Sequence, residues 1–210
     1  QILETLKNLI IESLFSGHRF NRHQLILGPP GTGKTYVLTM ALGYALSKGL
    51  FCLVTSLASR RSMHFGGEHI HKLFCLPPSS SGSPIKMAGQ ALNKLDHRNE
   101  KKMLLLALEV LFVEEVSLIS AEQWSAMDIV LQELKQSTLP FGGVLVIASG
   151  DQMQLPSIEG NDIFLSPMLL TNFALYFLGH FVRMTDQAGQ TVLRHMWKRP
   201  ISPAAVAEIL

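Results

Sequence analysis

The run Gly28-Pro29-Pro30-Gly31-Thr32-Gly33-Lys34-Thr35 constrains the fold of this chain more than any other stretch. It fits G-x-x-x-x-G-K-[ST]. It also stands where that pattern has physical meaning: after the apolar residues 25–27 and at the start of a helical stretch, 34–48, that Gly49 closes. Glycines at these positions let successive backbone N–H groups curl around the β- and γ-phosphates of a nucleoside triphosphate. The helix N-terminus adds partial positive charge. All eight residues are therefore candidate nucleotide contacts, with Lys34 neutralising the β/γ-phosphates and the hydroxyl of Thr35 holding Mg²⁺.

Around this loop, short apolar runs alternate with helical patterns. Residues 25–27, 50–54, 108–113, 144–148 and 174–178 are brief, aliphatic and free of polar alternation, as strands covered on both faces must be. Between them, helices are expected over 34–48, 88–106 and 121–137, the last opened by the capping box Ser120-Ala121-Glu122-Gln123. Strand and helix in repetition predict a doubly wound, mostly parallel α/β sheet with helices on both faces. Composition agrees, since 47% of the 210 residues are apolar and 16% charged, against about 25% charged in an ordinary soluble protein. A disordered or coiled-coil chain is excluded.

No internal repeat marks a solenoid, and residues 77–84, rich in Pro and Ser, read as a surface loop within one domain, 1–210. The apolar run 103–108, which no other run exceeds, is far shorter than the roughly 20 residues that cross a bilayer. Two cysteines, Cys52 and Cys75, make no disulfide framework, which fits an intracellular, reducing compartment. A net charge of +2 says nothing about nucleic acid. The chain opens on Gln1 without a secretory pattern and stops in a predicted helix, 203–210, so a fragment is expected.

Phosphate chemistry needs further groups. The strand over 108–113 runs into Glu114 and Glu115, at the strand edge where ligands of open α/β sheets collect. Adjacent strand residues point to opposite sides, so the two acids divide the work: Glu114 for Mg²⁺ and Glu115 for the attacking water. After the strand 144–148 comes Gln154, a neutral amide suited to sensing the γ-phosphate. Arg60, Arg61, His64, His69, His71 and Lys72 form a local basic group able to hold the phosphates of a single strand. His69, His71 and Cys75 have no fourth partner at zinc spacing. Asn93-Lys94-Leu95-Asp96 imitates a guanine-reading motif but falls inside a predicted helix. Trp124, Trp197 and the nine Met residues read as packing.

Taken together, GPPGTGKT at 28–35, FGGEHIH at 65–71, LFVEEVSLIS at 111–120, GDQMQLP at 150–156 and LGHFVRM at 178–184 resemble a known family. In this order they are similar to the N-terminal motor domain of superfamily one DNA helicases of the Pif and RecD kind, including those of Helitron transposons. The resemblance implies a RecA-like fold, ATP and Mg²⁺ as cofactors, and 5′-to-3′ movement on single-stranded DNA. It also implies work in DNA repair, recombination, telomere maintenance or transposon replication, in the nucleus or mitochondrion if the cell is eukaryotic. A second motor domain in cis, absent from this chain, follows from it too; the oligomeric state is left open, with a monomer the expectation. It gives Gln154 the γ-phosphate sensor role, brings Arg183 to the same phosphate, and makes Gln1 the reader of adenine.

Two departures stand out. The family's Asp-Glu pair is Glu114-Glu115 here, and the extra methylene predicts slower hydrolysis. The family's T-x-x-x-G-x-A-A segment is Thr55-Ser56-Leu57-Ala58-Ser59-Arg60-Arg61, without the glycine, so Thr55 joins the DNA-contact candidates on an altered loop. Two rivals remain. An AAA+ ATPase shares the phosphate loop but places Asn where this chain has Ala148-Ser149-Gly150-Asp151. A non-catalytic nucleotide- or DNA-binding remnant would keep the loop and lose turnover.

Overall fold

The computed structural model describes residues 2–15, 23–57, 67–78, 82–154, 157–182, 186 and 189–191. In chain order the elements are α1 (Ile2–Phe15), β1 (His23–Leu27), α2 (Lys34–Ser47), β2 (Cys52–Ser56), β3 (Glu68–His69), α3 (Ile70–Leu73), α4 (Pro84–Asp96), α5 (Asn99–Ala107), β4 (Val110–Glu114), α6 (Ala121–Lys135), β5 (Leu145–Gly150), α7 (Pro167–Asn172) and β6 (Phe173–Phe177). The six strands form one sheet, parallel throughout, in the order β3-β2-β4-β5-β1-β6. This is the parallel α/β arrangement that the alternation of strands and helices predicts, and it agrees with the RecA-like fold that the resemblance implies.

Every residue of β1, β4 and β5 is buried, which is why these strands carry no polar alternation. Successive strand residues feed opposite faces. Leu25, Leu27, Leu111, Val113, Val146 and Ala148 pack toward α4, α6, Trp124 and Phe141. Ile26, Val110, Phe112, Leu145 and Ile147 pack toward α1 and α2. Each such Leu or Ile, fully buried, stabilises the fold by about 1.5–3 kcal/mol before entropy is counted. The sheet order also sets the site. β5 lies between β1 and β4, with Leu27 beside Gly150 and Val113 beside Ala148, so the chain leaving β5 emerges between the phosphate loop and the two acids.

Local chemistry sets most boundaries. In α6 the capping box forms: the Ser120 hydroxyl accepts from the Gln123 N–H at 3.2 Å, and Gln123 Oε1 accepts from the Ser120 N–H at 3.2 Å. The expected helix over 88–106 is two helices. α4 starts four residues earlier, with Pro84 in its first turn and Ser83 accepting from the Lys86 N–H. It ends at Asp96, and α5 begins at Asn99 after Arg98 leaves helical geometry at φ −127°, ψ 67°. Lys102 spans the break to Asp96 at 2.6 Å. Strand limits also move: β2 starts at Cys52 and β4 at Val110, because Leu50, Phe51 and Leu108 belong to the links. α1, β3, α3 and α7 are elements that the sequence patterns do not predict. Of the predicted loop 77–84, Pro84 belongs to α4 and 79–81 lie outside the described residues, as does the predicted helix 203–210. No helix among the described residues is long and apolar enough to cross a membrane.

Candidate active site

The phosphate loop is built from close approaches. A side chain at Gly28 would meet the Leu178 carbonyl at 2.4 Å and the Thr32 hydroxyl at 2.9 Å. Gly33, which caps α2, sits at φ 92°, ψ 16°, a left-handed conformation that glycine adopts without steric cost. The buried Thr32 hydroxyl donates to the Pro29 carbonyl at 2.8 Å, closing the loop on itself. Lys34 donates from Nζ to the carbonyls of Gly28 at 2.6 Å and Pro29 at 2.9 Å, so its ammonium lies across the mouth of the loop. Pro30 is exposed, while Gly31 and Thr35 are partly so. From outside, the segment after β6 straps the loop: Leu178 N–H donates to Leu27 at 2.8 Å and Val182 N–H to Gly31 at 2.9 Å.

At the first turn of α2, the Thr35 hydroxyl donates to Glu114 Oε1 at 2.5 Å. Glu114 is 3% exposed, and its other oxygen, Oε2, is buried without a hydrogen-bond partner. A buried carboxylate oxygen left open beside a hydroxyl is a hard-oxygen donor pair, which fits a small divalent cation such as Mg²⁺.

Glu115 corrects one step of the sequence argument. Strand alternation would separate the two acids, but β4 ends at Glu114. Glu115 lies beyond the strand at φ 56°, ψ 51°, capping a single 3₁₀ turn over Val116–Leu118. A left-handed backbone, and not the pleat, sets the course of the chain at Glu115.

β5 delivers the third group. Asp151 is 1% exposed; its Oδ1 accepts from the Met153 N–H at 3.0 Å and its carbonyl from the Gln154 N–H at 3.2 Å. Gln154 therefore rides on a tight turn between the phosphate loop and Glu115, half-buried.

The nucleic-acid candidates divide. Arg60, Arg61 and His64 lie outside the described residues, as do Gln1 and Arg183. Lys72 is exposed. His69 ends β3 and caps α3, accepting on Nδ1 from the His71 N–H at 3.3 Å, and the two imidazoles stack with centroids 5.3 Å apart. Burial, reinforced by His69, pushes the His71 imidazole below its ordinary value, so at neutral pH it offers a flat ring and no charge. Thr55 needs correction as a DNA contact. It is fully buried, and its hydroxyl donates to the Glu68 carbonyl at 2.8 Å, joining β2 to β3. Glu68 and the Lys72 carbonyl are both held by Lys101, at 2.5 and 2.7 Å.

The family model for PIF1-like helicases matches residues 4–163. The chain belongs to the PIF1-like helicase family. It is 30% identical over 139 residues to the ATP-dependent DNA helicase Pif1 of Psychrobacter sp. (strain PRwf-1), covering 65% of this chain and 20% of that protein. Among solved structures it resembles the Pif1 helicase from Candida albicans, with a TM-score of 0.79 at 18% identity over 97% of this chain and 46% of that one. The Pif1 helicase from Bacteroides in complex with ADP-AlF3 and ssDNA gives a TM-score of 0.69 at 22% identity, over 94% and 47%. The PIF1-like chain thus spans about a fifth of the first curated relative and about half of these solved chains.

Several parts of the PIF1-like site went unread in the sequence. Asp151 stands inside the quoted GDQMQLP run, and an Asp at a strand end before a turn was the available signal. The strap from Leu178 and Val182 to the phosphate loop uses backbone atoms alone and leaves no signature in residue types.

Proposed function

We propose that residues 1–210 of this PIF1-like chain form one motor domain that binds Mg·ATP and hydrolyses it to drive 5′-to-3′ movement on single-stranded DNA, as part of a DNA helicase. The observation that carries the reading is the Thr35–Glu114 contact, with its buried open oxygen, at the mouth of a phosphate loop on a helix N-terminus. The complex of a Bacteroides Pif1 helicase with ADP-AlF3 and ssDNA supports it.

Thr35 and Glu114 are the residues that would hold Mg²⁺, directly or through its water; when bound, the ion neutralises charge on the phosphate oxygens. Lys34 exchanges its loop carbonyls for β/γ-oxygens of the nucleotide. Glu115 orients water for in-line attack on the γ-phosphorus and accepts its proton, while the bond to the β–γ bridging oxygen breaks and leaves ADP and phosphate. Gln154 donates to a γ-phosphate oxygen and loses that partner when phosphate leaves, which signals the change of state. Arg183 is assigned to the same phosphate and Gln1 to adenine. Lys72, the His69–His71 stack, Arg60 and Arg61 meet the strand. A second motor domain in cis closes the nucleotide cleft, and the protein works as a monomer in a reducing compartment, the nucleus or mitochondrion in a eukaryote. Repair, recombination, telomere maintenance or transposon replication are the settings that fit.

The test is steady-state ATP hydrolysis with and without single-stranded DNA. Lys34→Ala is expected to abolish nucleotide binding or turnover, and Glu115→Gln to keep binding and stop hydrolysis. Normal turnover in Glu115→Gln would remove that residue from its role. Glu114 in place of Asp supports a second reading, a nucleotide-binding remnant, for which zero turnover with intact ATP binding would decide.

A further inference from the structure

Gly150 ends β5 without a positive φ, so its backbone conformation does not call for glycine. Glycine in a strand gives up both side-chain packing and backbone order, and it persists where another part of the chain must come close. That is the case here. A Cβ at position 150 would lie 2.7 Å from Cγ2 of Val116 and 3.4 Å from the ring of Phe164. Val116 is fully buried and follows Glu115 directly. Its β-branched side chain has little χ1 freedom, so any group added at Gly150 moves the turn and not merely a methyl.

The turn is one that needs holding. Glu115 occupies left-handed space, which a residue other than glycine keeps only where its surroundings impose it. Within the turn, the Glu115 carbonyl accepts from the Leu118 N–H at 3.2 Å and the Val116 carbonyl from the Ile119 N–H at 2.9 Å. Outside it, the bare Cα of Gly150 is the seat.

We propose that Val116, seated on Gly150, is a positioning residue for hydrolysis: the contact fixes the left-handed turn at Glu115 and so fixes where its carboxylate meets the attacking water. The inference rests on the reading of Glu115 as the water-activating residue. The same Gly150 opens the Asp151–Gln154 turn, so a shift of that turn reaches Glu115 through the Val116 side chain.

The experiment compares Gly150→Ala, Val116→Ala and the double variant, with Glu115→Gln as reference. It reads kcat, ATP affinity, and hydrogen–deuterium exchange of the peptide spanning 114–118. Gly150→Ala is expected to lower kcat at least about tenfold, since displacement of a reacting group by about 1 Å can cost about a hundredfold. ATP affinity should stay within about twofold, a split that general loss of structure would not produce. The double variant should recover most of the loss, because the deleted methyls make room for the added one, and its 114–118 exchange should return toward that of the unaltered chain. Wild-type kcat in Gly150→Ala, or a double variant no better than Gly150→Ala, overturns the proposal. If Gly150→Ala does not fold, Val116→Ala decides: lower kcat at unchanged affinity supports the contact, and normal kcat overturns it. Turnover surviving in Glu115→Gln sinks the reading of Glu115 instead. The exchange measurement still judges the contact in that case, and unchanged exchange in both single variants refutes it.

Discussion

His23 is fully buried at the start of β1, its ring edge-on to Phe141 with centroids 5.0 Å apart. Nδ1 accepts from the Val146 N–H at 3.1 Å, which leaves the proton on Nε2, buried without a hydrogen-bond partner. Burial pushes this imidazole down to about 3 from its ordinary 6.5. In the unfolded chain it takes up a proton below its ordinary value, whereas the folded protein refuses one until far lower. Stability from this residue is therefore complete above its ordinary value and is lost as pH falls toward 3, at about 1.4 kcal/mol per pH unit. Urea unfolding midpoints taken between about pH 6 and pH 4 check this: His23→Gln should flatten the acid slope by about that amount. An unchanged slope would show that other groups carry it. At this scale the sequence was partly transparent. Roles that follow from a residue's own chemistry, such as a lysine or hydroxyl at the end of a glycine loop, are local. The burial of Thr55 depends on the two-residue strand β3, and the φ of Glu115 is invisible in any string of letters.

Lys135, in the last turn of α6, donates from Nζ to the carbonyls of Leu106 and Leu108, each at 2.6 Å. One ammonium thus satisfies acceptors at the C-terminal end of α5 and fixes the link into β4. Lys135→Met keeps most of the apolar stem and removes the donor, so a loss of about 2 kcal/mol is expected in denaturant unfolding. A loss below the error of the measurement would show that water replaces the ammonium. Elements were legible where their signals are contiguous: the capping box of α6 and the flanks of the phosphate loop are written within a few residues. The break between α4 and α5 was not, because Asp96 to Asn99 hold no Gly or Pro and the helical spacing of apolar residues continues on either side. In α1, Leu6 and Ile10 lie one turn apart and are fully buried against α2, a pattern present in the sequence and left unread.

The whole chain covers just under half of the solved Pif1 chains it resembles. In the proposed reading, strand separation needs a second motor domain that closes on the nucleotide and opens again. The 210 residues alone are therefore expected to bind ATP, turn it over slowly and leave duplex DNA intact in a strand-displacement assay. Efficient displacement by this chain would show that one domain suffices. The parallel sheet was foreseeable because β1, β4 and β5 share the same double-sided burial; its order was not, since β5 enters between β1 and β4 by a long-range choice. The route by which the backbone leaves that sheet has a mechanical meaning. Residues 178–182 pass the phosphate loop hand over hand, bonded to Leu27 and then to Gly31. A pull exerted farther along the polypeptide would therefore bear on the phosphate loop through these two backbone hydrogen bonds.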